Sequence, residues 1–467
     1  VVIDIGTRRE LFVDRHLVER LDGTQLELHH PCLGGVALWF DEPWARPSAG
    51  YGTVLLDGDT YRLYYRKTFG EILSDDGSDQ VTCLAESGDG IAWHKPTLGM
   101  YEVAGMRDNN VVWAGLGPTS HNFAPFIDRR PDVSPSERYK ALAGTQTTGL
   151  LGFVSADGIH WRQLREEPLL PSVPGDYRYD SQNVAFWSEH EGCYLCYYRI
   201  WRDKVRSIAR AVSDDFLHWS PGEAMEFGDT PPEHLYISQT HPYYRAPHVY
   251  VALAARFMPG RKVLSDEEGW QHNVGSHRGV GYWQDCSEAV LLTSRGGKRY
   301  DRTFMEGLVR PGPDRRNWVS RSNYPALGVV PTPAAGGREE MSLYVMRHNQ
   351  QPTSHLERLV LRVDGFASLN APYAGGEMVS VPLRFEGREL EINYATGAAG
   401  HVRVELQDIS GTAIEGYALE DADLLIGDEI ERVVSWQRNA DVSCLADQAV
   451  RLRLELKDAD VYSFRFR

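Results

Sequence analysis

The sequence is short of basic charge. Its 467 residues carry 49 Lys and Arg against 65 Asp and Glu, a formal charge of −16, and no basic cluster interrupts the excess. Such a chain repels phosphate backbones and anionic lipid, which argues against nucleic acid or a membrane surface as partner. Long apolar runs are missing too: none approaches the 18 or more residues of a membrane span. Six cysteines are too few for a disulfide scaffold at this length. Cys193 and Cys196 have CxxC spacing, but they lie in the apolar-aromatic GCYLCYYR, and strand residues three apart point to opposite faces. No metal or cofactor site is expected there, and no other motif indicates one. The opening VVIDIGTRRELFVD has neither the charged nor the apolar segment of a signal peptide. A soluble, cytoplasmic protein is the expectation, with secretion left open.

Stripes of apolar residues at helical spacing are scarce as well. In their place are short alternating runs divided by polar turns, such as TVLLDG then TYRLYYR, and VAFWSEHEG then CYLCYYR. That is the pattern of antiparallel hairpins. One turn recurs as Ser87-Gly-Asp89-Gly90-Ile-Ala-Trp93, Ser155-Ala-Asp157-Gly158-Ile-His-Trp161 and Ser213-Asp-Asp215-Phe-Leu-His-Trp219. A degenerate copy is Ser294-Arg-Gly296-Gly297-Lys-Arg-Tyr300. Asp and Gly make the turn while the aromatic packs back on its sheet. One such hairpin cannot bury its face alone, so repetition at blade-sized intervals predicts sheets arranged radially about an axis. The expected fold is all-β, with a five-bladed β-propeller over residues 1–365. Blade I is placed from Trp44 to Pro96, II from His121 to Leu164, III from Asp180 to Pro221 and IV from Tyr236 to Thr303. Blade V starts at Tyr324, and RELFVDRHLVER near the N-terminus is expected to close it. Residues 366–467 lack the turn repeat but alternate in VPLRFEG, ELEINYAT, HVRVELQD, ERVVSW, VRLRLELKD and VYSFRFR. That predicts a separate β-sandwich of structural role.

This order of parts resembles glycoside hydrolase family 32, related to family 43 in its propeller. More closely, the chain resembles bacterial family-32-like proteins through FDEPWARPSAGYGTVLLDGDTYRLYYR, HNFAPFID, DSQNVAFW, PPEHLY, RTFMEGLVRPGPDRRNWVSRSNYPALG and LRVDGFASLNAP. DADVYSFRF and GDEIERVVSW, nearer the C-terminus, belong to the same picture. The resemblance implies the fold and a glycosidase activity, but the family's nucleophile motif is absent. Its Asp would fall near Ala49 or Gly50. The blade II acid motif is replaced by His121-Asn122-Phe123 and the blade III one by Asp180-Ser181-Gln182-Asn183. β-Fructosidase activity is therefore not carried over.

Inner strands line a propeller's channel, and their starts face one pocket. Glycoside hydrolysis uses two carboxyl groups across the scissile bond, one of which keeps its proton through burial or a like-charged neighbour. Candidates are Asp180 in YRYDSQNVAFW, Glu42 in FDEPWARP with Asp41 as substitute, Glu306 in TFMEGLVRPG, and Glu340. Each has a plainer reading as a turn cap or loop acid, and Glu306 as a partner of Arg310. His121, Asn122, Gln182, Asn183, Gln239, His241 and Asn323 fall at or near inner-strand starts, where sugar hydroxyls need both donors and acceptors. Trp44 and Trp318 would either stack on a sugar ring or join the core. Converging arginines bind carboxylates bidentately, so Arg256, Arg310 and Arg321 raise an acidic sugar as substrate. That arrangement resembles sialidases, which pair an arginine cluster with a Tyr nucleophile but have six blades. Tyr236, His234 and Arg256 would supply a lyase's base and its charge neutralisation. The leading expectation is a glycoside hydrolase, or a transglycosylating relative, acting on a furanoside or small glycan. Against it stand a non-catalytic carbohydrate-binding propeller and a sialidase-like or lyase enzyme on an acidic sugar. A carbohydrate is the expected partner. A structural Ca²⁺ in the channel would suit the fold, though no residue indicates it. Linkage, stereochemical outcome and oligomeric state are open at this point.

Overall fold

The structure is a computed structural model that describes residues 2–69, 77–272 and 281–467. The chain forms two compact units, Pro31–Val360 and Val1–His30 together with Leu361–Arg467.

The first unit is a five-bladed propeller. Its inner strands are Ala49–Asp57, Ala124–Ile127, Val184–Ser188 and Thr240–Tyr243, and in the fifth blade Tyr324–Pro325 with Val330–Pro333. Antiparallel neighbours follow outward, in blade I Thr60–Thr68, Gln80–Ser87 and Val111–Ala114. Blade I thus extends past Pro96. A strand from the start of the chain does close blade V, but it is Cys32–Trp39, paired with His355–Leu361. RELFVDRHLVER goes elsewhere: Glu10–Leu11 pair with Phe464 and Ser463 in the second unit, and Phe12 and Leu17 are buried in that unit's core. The reason is apolar content. The closing strand is a mostly exposed edge interrupted by Gly34 and Gly35, so it carries little burial signal.

The recurrent turn ends the third strand of blades I, II and III in the same way. Asp89, Asp157 and Asp215 each accept two backbone N–H bonds at 2.8 Å. Ser87, Ser155 and Ser213 each accept a third at 2.9 Å. Each turn also bolts its blade to the preceding one. The Tyr64 hydroxyl of blade I donates to the Gly158 carbonyl at 3.0 Å, and Tyr344 of blade V donates to that of Gly90 at 2.5 Å. A Cβ at Gly158 would lie 2.5 Å from the Tyr64 hydroxyl, and φ there is +76°, so two constraints select glycine. The third copy adopts the same left-handed conformation at Phe216, φ 70°, whose ring packs on Phe126 of blade II at 5.7 Å. Asp157→Ala is expected to cost about 1–2 kcal/mol by removing two capped N–H groups, read as a lowered urea midpoint with unchanged slope.

The second unit is a β-sandwich built on two long paired strands, Leu390–Gln407 and Ala449–Phe466. ELEINYAT and HVRVELQD are one strand, kinked by a register shift between Thr396 and His401, and VRLRLELKD runs on into VYSFRFR. Its core includes Phe385 stacked on Phe466 at 3.7 Å. Arg9, fully enclosed, pairs there with Glu391 at 2.5 Å.

Candidate functional site

The starts of the five inner strands bring Tyr51, His121, Asp180, Tyr236 and Arg321 together in the channel. Arg66 and Arg199 come from the second strands of blades I and III, and Arg206 from the third strand of blade III. The contacts form a chain. The Arg66 guanidinium lies 4.7 Å from the Tyr51 ring and 3.1 Å from His121 Nδ1. His121 Nε2 donates to the Asp180 carbonyl at 3.1 Å. The Asp180 carboxylate pairs with Arg199, which lies 5.0 Å from the Tyr236 ring. Arg206 covers that ring at 5.1 Å, and Tyr324 packs beside it at 5.3 Å. Arg321 sits over the Tyr282 ring at 4.6 Å.

Among the described residues, four guanidinium groups share the site with one carboxylate, and their charge acts together with burial on the titrating groups. Burial pushes the His121 pKa down to about 3, helped by Arg66 and Arg321 and opposed by Asp180, so the ring is neutral at ordinary pH. Burial would raise the pKa of Asp180, but Arg199 chiefly, with His121 and Arg321, holds it below the usual carboxylate value. Asp180 is an anion there, not a stored acid. Tyr51 and Tyr324 are raised by burial and by their tyrosine neighbours. Tyr236 goes the other way. Burial and Asp180 push its pKa up, yet Arg321, Arg199 and Arg206 together bring it below that of a free tyrosine.

The backbone is held in unusual conformations here. Tyr51, Tyr179, Gln239, Arg321 and Asn323 have φ of 52°, 69°, 50°, 66° and 65°. Non-glycine residues rarely occupy that region, and such strain concentrates at functional sites. An amide layer holds it in place. Asn122 Nδ2 donates to the carbonyls of Gly144, Tyr179 and Ser181 at 2.7–2.9 Å. Gln182 donates to Thr53 Oγ1 at 2.9 Å and accepts from Gln239 at 2.8 Å. Asn183 donates to the Ser181 carbonyl at 2.8 Å, and Asn323 to that of Ser287 at 2.7 Å. All these amides lie within the protein rather than in the channel mouth, so they brace the strand starts.

Of the five candidate carboxylates, only Asp180 lies in the channel. Glu42 is buried, paired with Lys67 at 2.7 Å and Lys95 at 3.0 Å, and accepts from the Tyr65 hydroxyl at 2.8 Å. Asp41 is exposed and pairs with Lys95 at 2.7 Å. Glu340 pairs with Arg358 on the blade V sheet. Glu306 and Arg310 are both exposed, and no ion pair between them is found among the described residues. Arg256 is neutralised by Glu288 and Glu233. Trp44 is a core residue, and the half-buried Trp318 donates its indole N–H to the Gly312 carbonyl at 2.8 Å. His234 lies beside the site, accepting from the Arg206 backbone N–H at 3.2 Å. His241, the second residue of the blade IV inner strand, lines a largely apolar cavity of about 430 Å³ together with Leu55, Phe126 and Trp187. Both of its nitrogens are engaged, with Gln239 and Val329. Among the described residues no group of three or more His, Cys, Asp or Glu is placed to hold a metal ion.

The residues missed are Tyr51, Arg66, Arg199 and Arg206. A signal for two of them was in the repeat itself: TYRLYYR and CYLCYYR end on Arg66 and Arg199 at equivalent positions of the second strand. In blade I the strand pairing sets Arg66 opposite Gly50, and a Cβ at Gly50 would lie 2.6 Å from the guanidinium. The stretch where the family 32 resemblance puts its nucleophile is thus filled by a cation.

Fold and site together define a β-propeller with a cation-rich channel. No protein-family model matches the sequence, and no curated protein does. Solved structures similar to it include one described as a glycoside hydrolase, at 12% identity and TM-score 0.47, covering 71% of this chain and 92% of that one. Another is the Bombyx mori GH32 beta-fructofuranosidase BmSUC1, at 10% identity and TM-score 0.42, covering 92% and 94%. A third is an endo-arabinase from Bacteroides thetaiotaomicron, at 11% identity and TM-score 0.37, covering 70% and 97%.

Proposed function

We propose that the protein is a glycosidase in which Tyr236, rather than a pair of carboxyl groups, is the reactive group. The observation that carries this reading is a buried tyrosine packed against Arg199 and Arg206 at 5.0 and 5.1 Å, whose positive charges, with that of Arg321, favour its phenolate. Perturbed groups of this kind in a strained pocket mark functional sites. A lectin gains nothing from an ionisable phenol, whereas an enzyme gains a nucleophile. The phenolate oxygen would bond to the anomeric carbon as the glycosidic C–O bond breaks, and the departing oxygen would take its proton from solvent. Water, deprotonated by the ionised Asp180, would then break the Tyr236–sugar bond and regenerate the site. Elimination is the second reading, supported because among the described residues the site holds no protonated carboxyl group to assist a leaving oxygen. In it Tyr236 would remove a proton and return it to the departing oxygen.

The test is turnover on a panel of aryl glycosides and polysaccharides, following both reducing ends and the ultraviolet absorbance of an unsaturated product. New reducing ends without absorbance are expected for hydrolysis, and both together for elimination. Sugar binding with no bond cleaved on any substrate would leave a binding module and sink the enzyme reading.

A further inference from the structure

The channel's charge does not follow from the chain's composition. Acidic residues outnumber basic ones by 65 to 49, yet among the described residues the site holds Arg66, Arg199, Arg206 and Arg321 against Asp180 alone. Elsewhere in the same protein enclosed arginines are neutralised. Arg302 pairs with Glu233 at 2.9 Å, Arg347 with Glu357 at 2.6 Å and Arg9 with Glu391 at 2.5 Å. Among the described residues no carboxylate pairs with Arg66, Arg206 or Arg321. On Arg199, which is 5% exposed, Nε and one terminal nitrogen have no hydrogen-bond partner.

Arg199 is buried and Arg66, Arg206 and Arg321 are half-buried, and gathering like charges away from bulk water is costly unless an opposite charge joins them. Arg206 is committed to the walls, lying between the Trp201 and Phe257 rings at 4.6 and 4.7 Å. Arg66 and Arg321 differ. Each stacks on one tyrosine, Tyr51 at 4.7 Å and Tyr282 at 4.6 Å, which fixes the plane of the guanidinium. Arg66 spends one terminal nitrogen on His121, at 3.1 Å from Nδ1 and 3.2 Å from its carbonyl, and keeps its other donors. A planar donor edge held in this way suits bidentate recognition of an oxyanion.

We infer that the channel takes a sugar bearing an oxyanion substituent, held by Arg321 and Arg66. The inference rests on the glycosidase reading above and adds its substrate class. A carboxylate, as in a uronic or sialic acid, and a sulfate ester share the required chemistry. Neutral furanosides do not have it.

The experiment uses matched pairs of 4-methylumbelliferyl glycosides: β-D-glucuronide with β-D-glucoside, and β-D-galactoside with its 6-sulfate, together with the α-N-acetylneuraminide. Calorimetric binding of the free sugars is measured alongside. An anionic member is expected to be favoured by about 10²-fold or more over its neutral counterpart, the scale set by losing one buried charge partner. The preference should weaken with salt. Arg321→Gln and Arg66→Gln should each erase most of it, and Arg321→Lys should keep part. Two variants guard against one failing to fold, checked by circular dichroism. The glucuronide and sialoside arms report a carboxylate, and the 6-sulfate arm reports a sulfate ester. Equal turnover of neutral and anionic partners, abolished by Tyr236→Phe, would overturn this inference and leave the glycosidase reading standing. Selective binding of an anionic sugar with no cleavage would do the reverse. Absence of both binding and turnover with every anionic sugar would also overturn the inference.

Discussion

Replacing Tyr236 by Phe is expected to lower kcat by about 10³-fold or more while leaving the fold and most substrate binding intact. Removal of a positioned proton-transfer group costs on the order of 10²–10⁴-fold, and a covalent nucleophile belongs at the upper end of that range. The ring itself packs between Arg199, Arg206 and Tyr324, and phenylalanine preserves those contacts. The pH profile supplies the sharper test. Turnover by a phenolate rises with pH through the pKa of Tyr236, which the arginines bring below that of a free tyrosine. The Phe variant should lose that limb. Asp180→Asn removes a charge that raises the Tyr236 pKa, so in this variant the limb should move to lower pH even as turnover falls. A limb that stays in place in both variants would assign the titration to another group.

The strand alternation and the Ser-x-Asp-Gly turn made the propeller legible, because both are local. The turn needs only a side-chain oxygen, three backbone N–H groups and a tolerated left-handed residue, all within seven positions of sequence. Closure of blade V was less legible. Cys32–Trp39 is an exposed edge, while RELFVDRHLVER has the apolar content that a buried strand would show. The site divided along the same line. Asp180 and His121 stand out because inner-strand starts can be counted, while Arg321 enters as one of several converging arginines and Tyr236 as a lyase base. Arg66 and Arg199 lie at the ends of second strands, and their role appears only when registers such as Gly50 with Arg66 are known. Glu42 stands beside Trp44 in sequence, which makes it resemble a catalytic acid next to a sugar-stacking ring. In the structure Glu42 and Asp41 pair with Lys67 and Lys95, and Glu340 with Arg358, partners that sequence separation hides.

Glu42 carries the other large expected effect, and it is one of stability. Glu42→Ala should lower the propeller's unfolding free energy by about 3–5 kcal/mol, because it leaves Lys67 enclosed without its carboxylate. The two partners respond to burial differently. For Glu42, burial raises the pKa, and Lys67 and Lys95 outweigh it. For Lys67, burial lowers the pKa and Glu42 only partly restores it. The pair is therefore costly to enclose and costlier to break. Since the folded Glu42 pKa lies below its unfolded value, the stability it contributes is complete above about pH 4.3 and fades as pH falls through the folded value. The gap between wild type and variant in urea unfolding should follow that course. A double variant, Glu42→Leu with Lys67→Met, should recover much of the loss. At temperatures where Glu42→Ala is fully folded its kcat should match the wild type, since the carboxylate faces Lys67, Lys95 and Tyr65 and no group of the channel. A large fall in kcat in a folded Glu42→Ala protein would return that carboxylate to the chemistry and displace Tyr236 from its place in it.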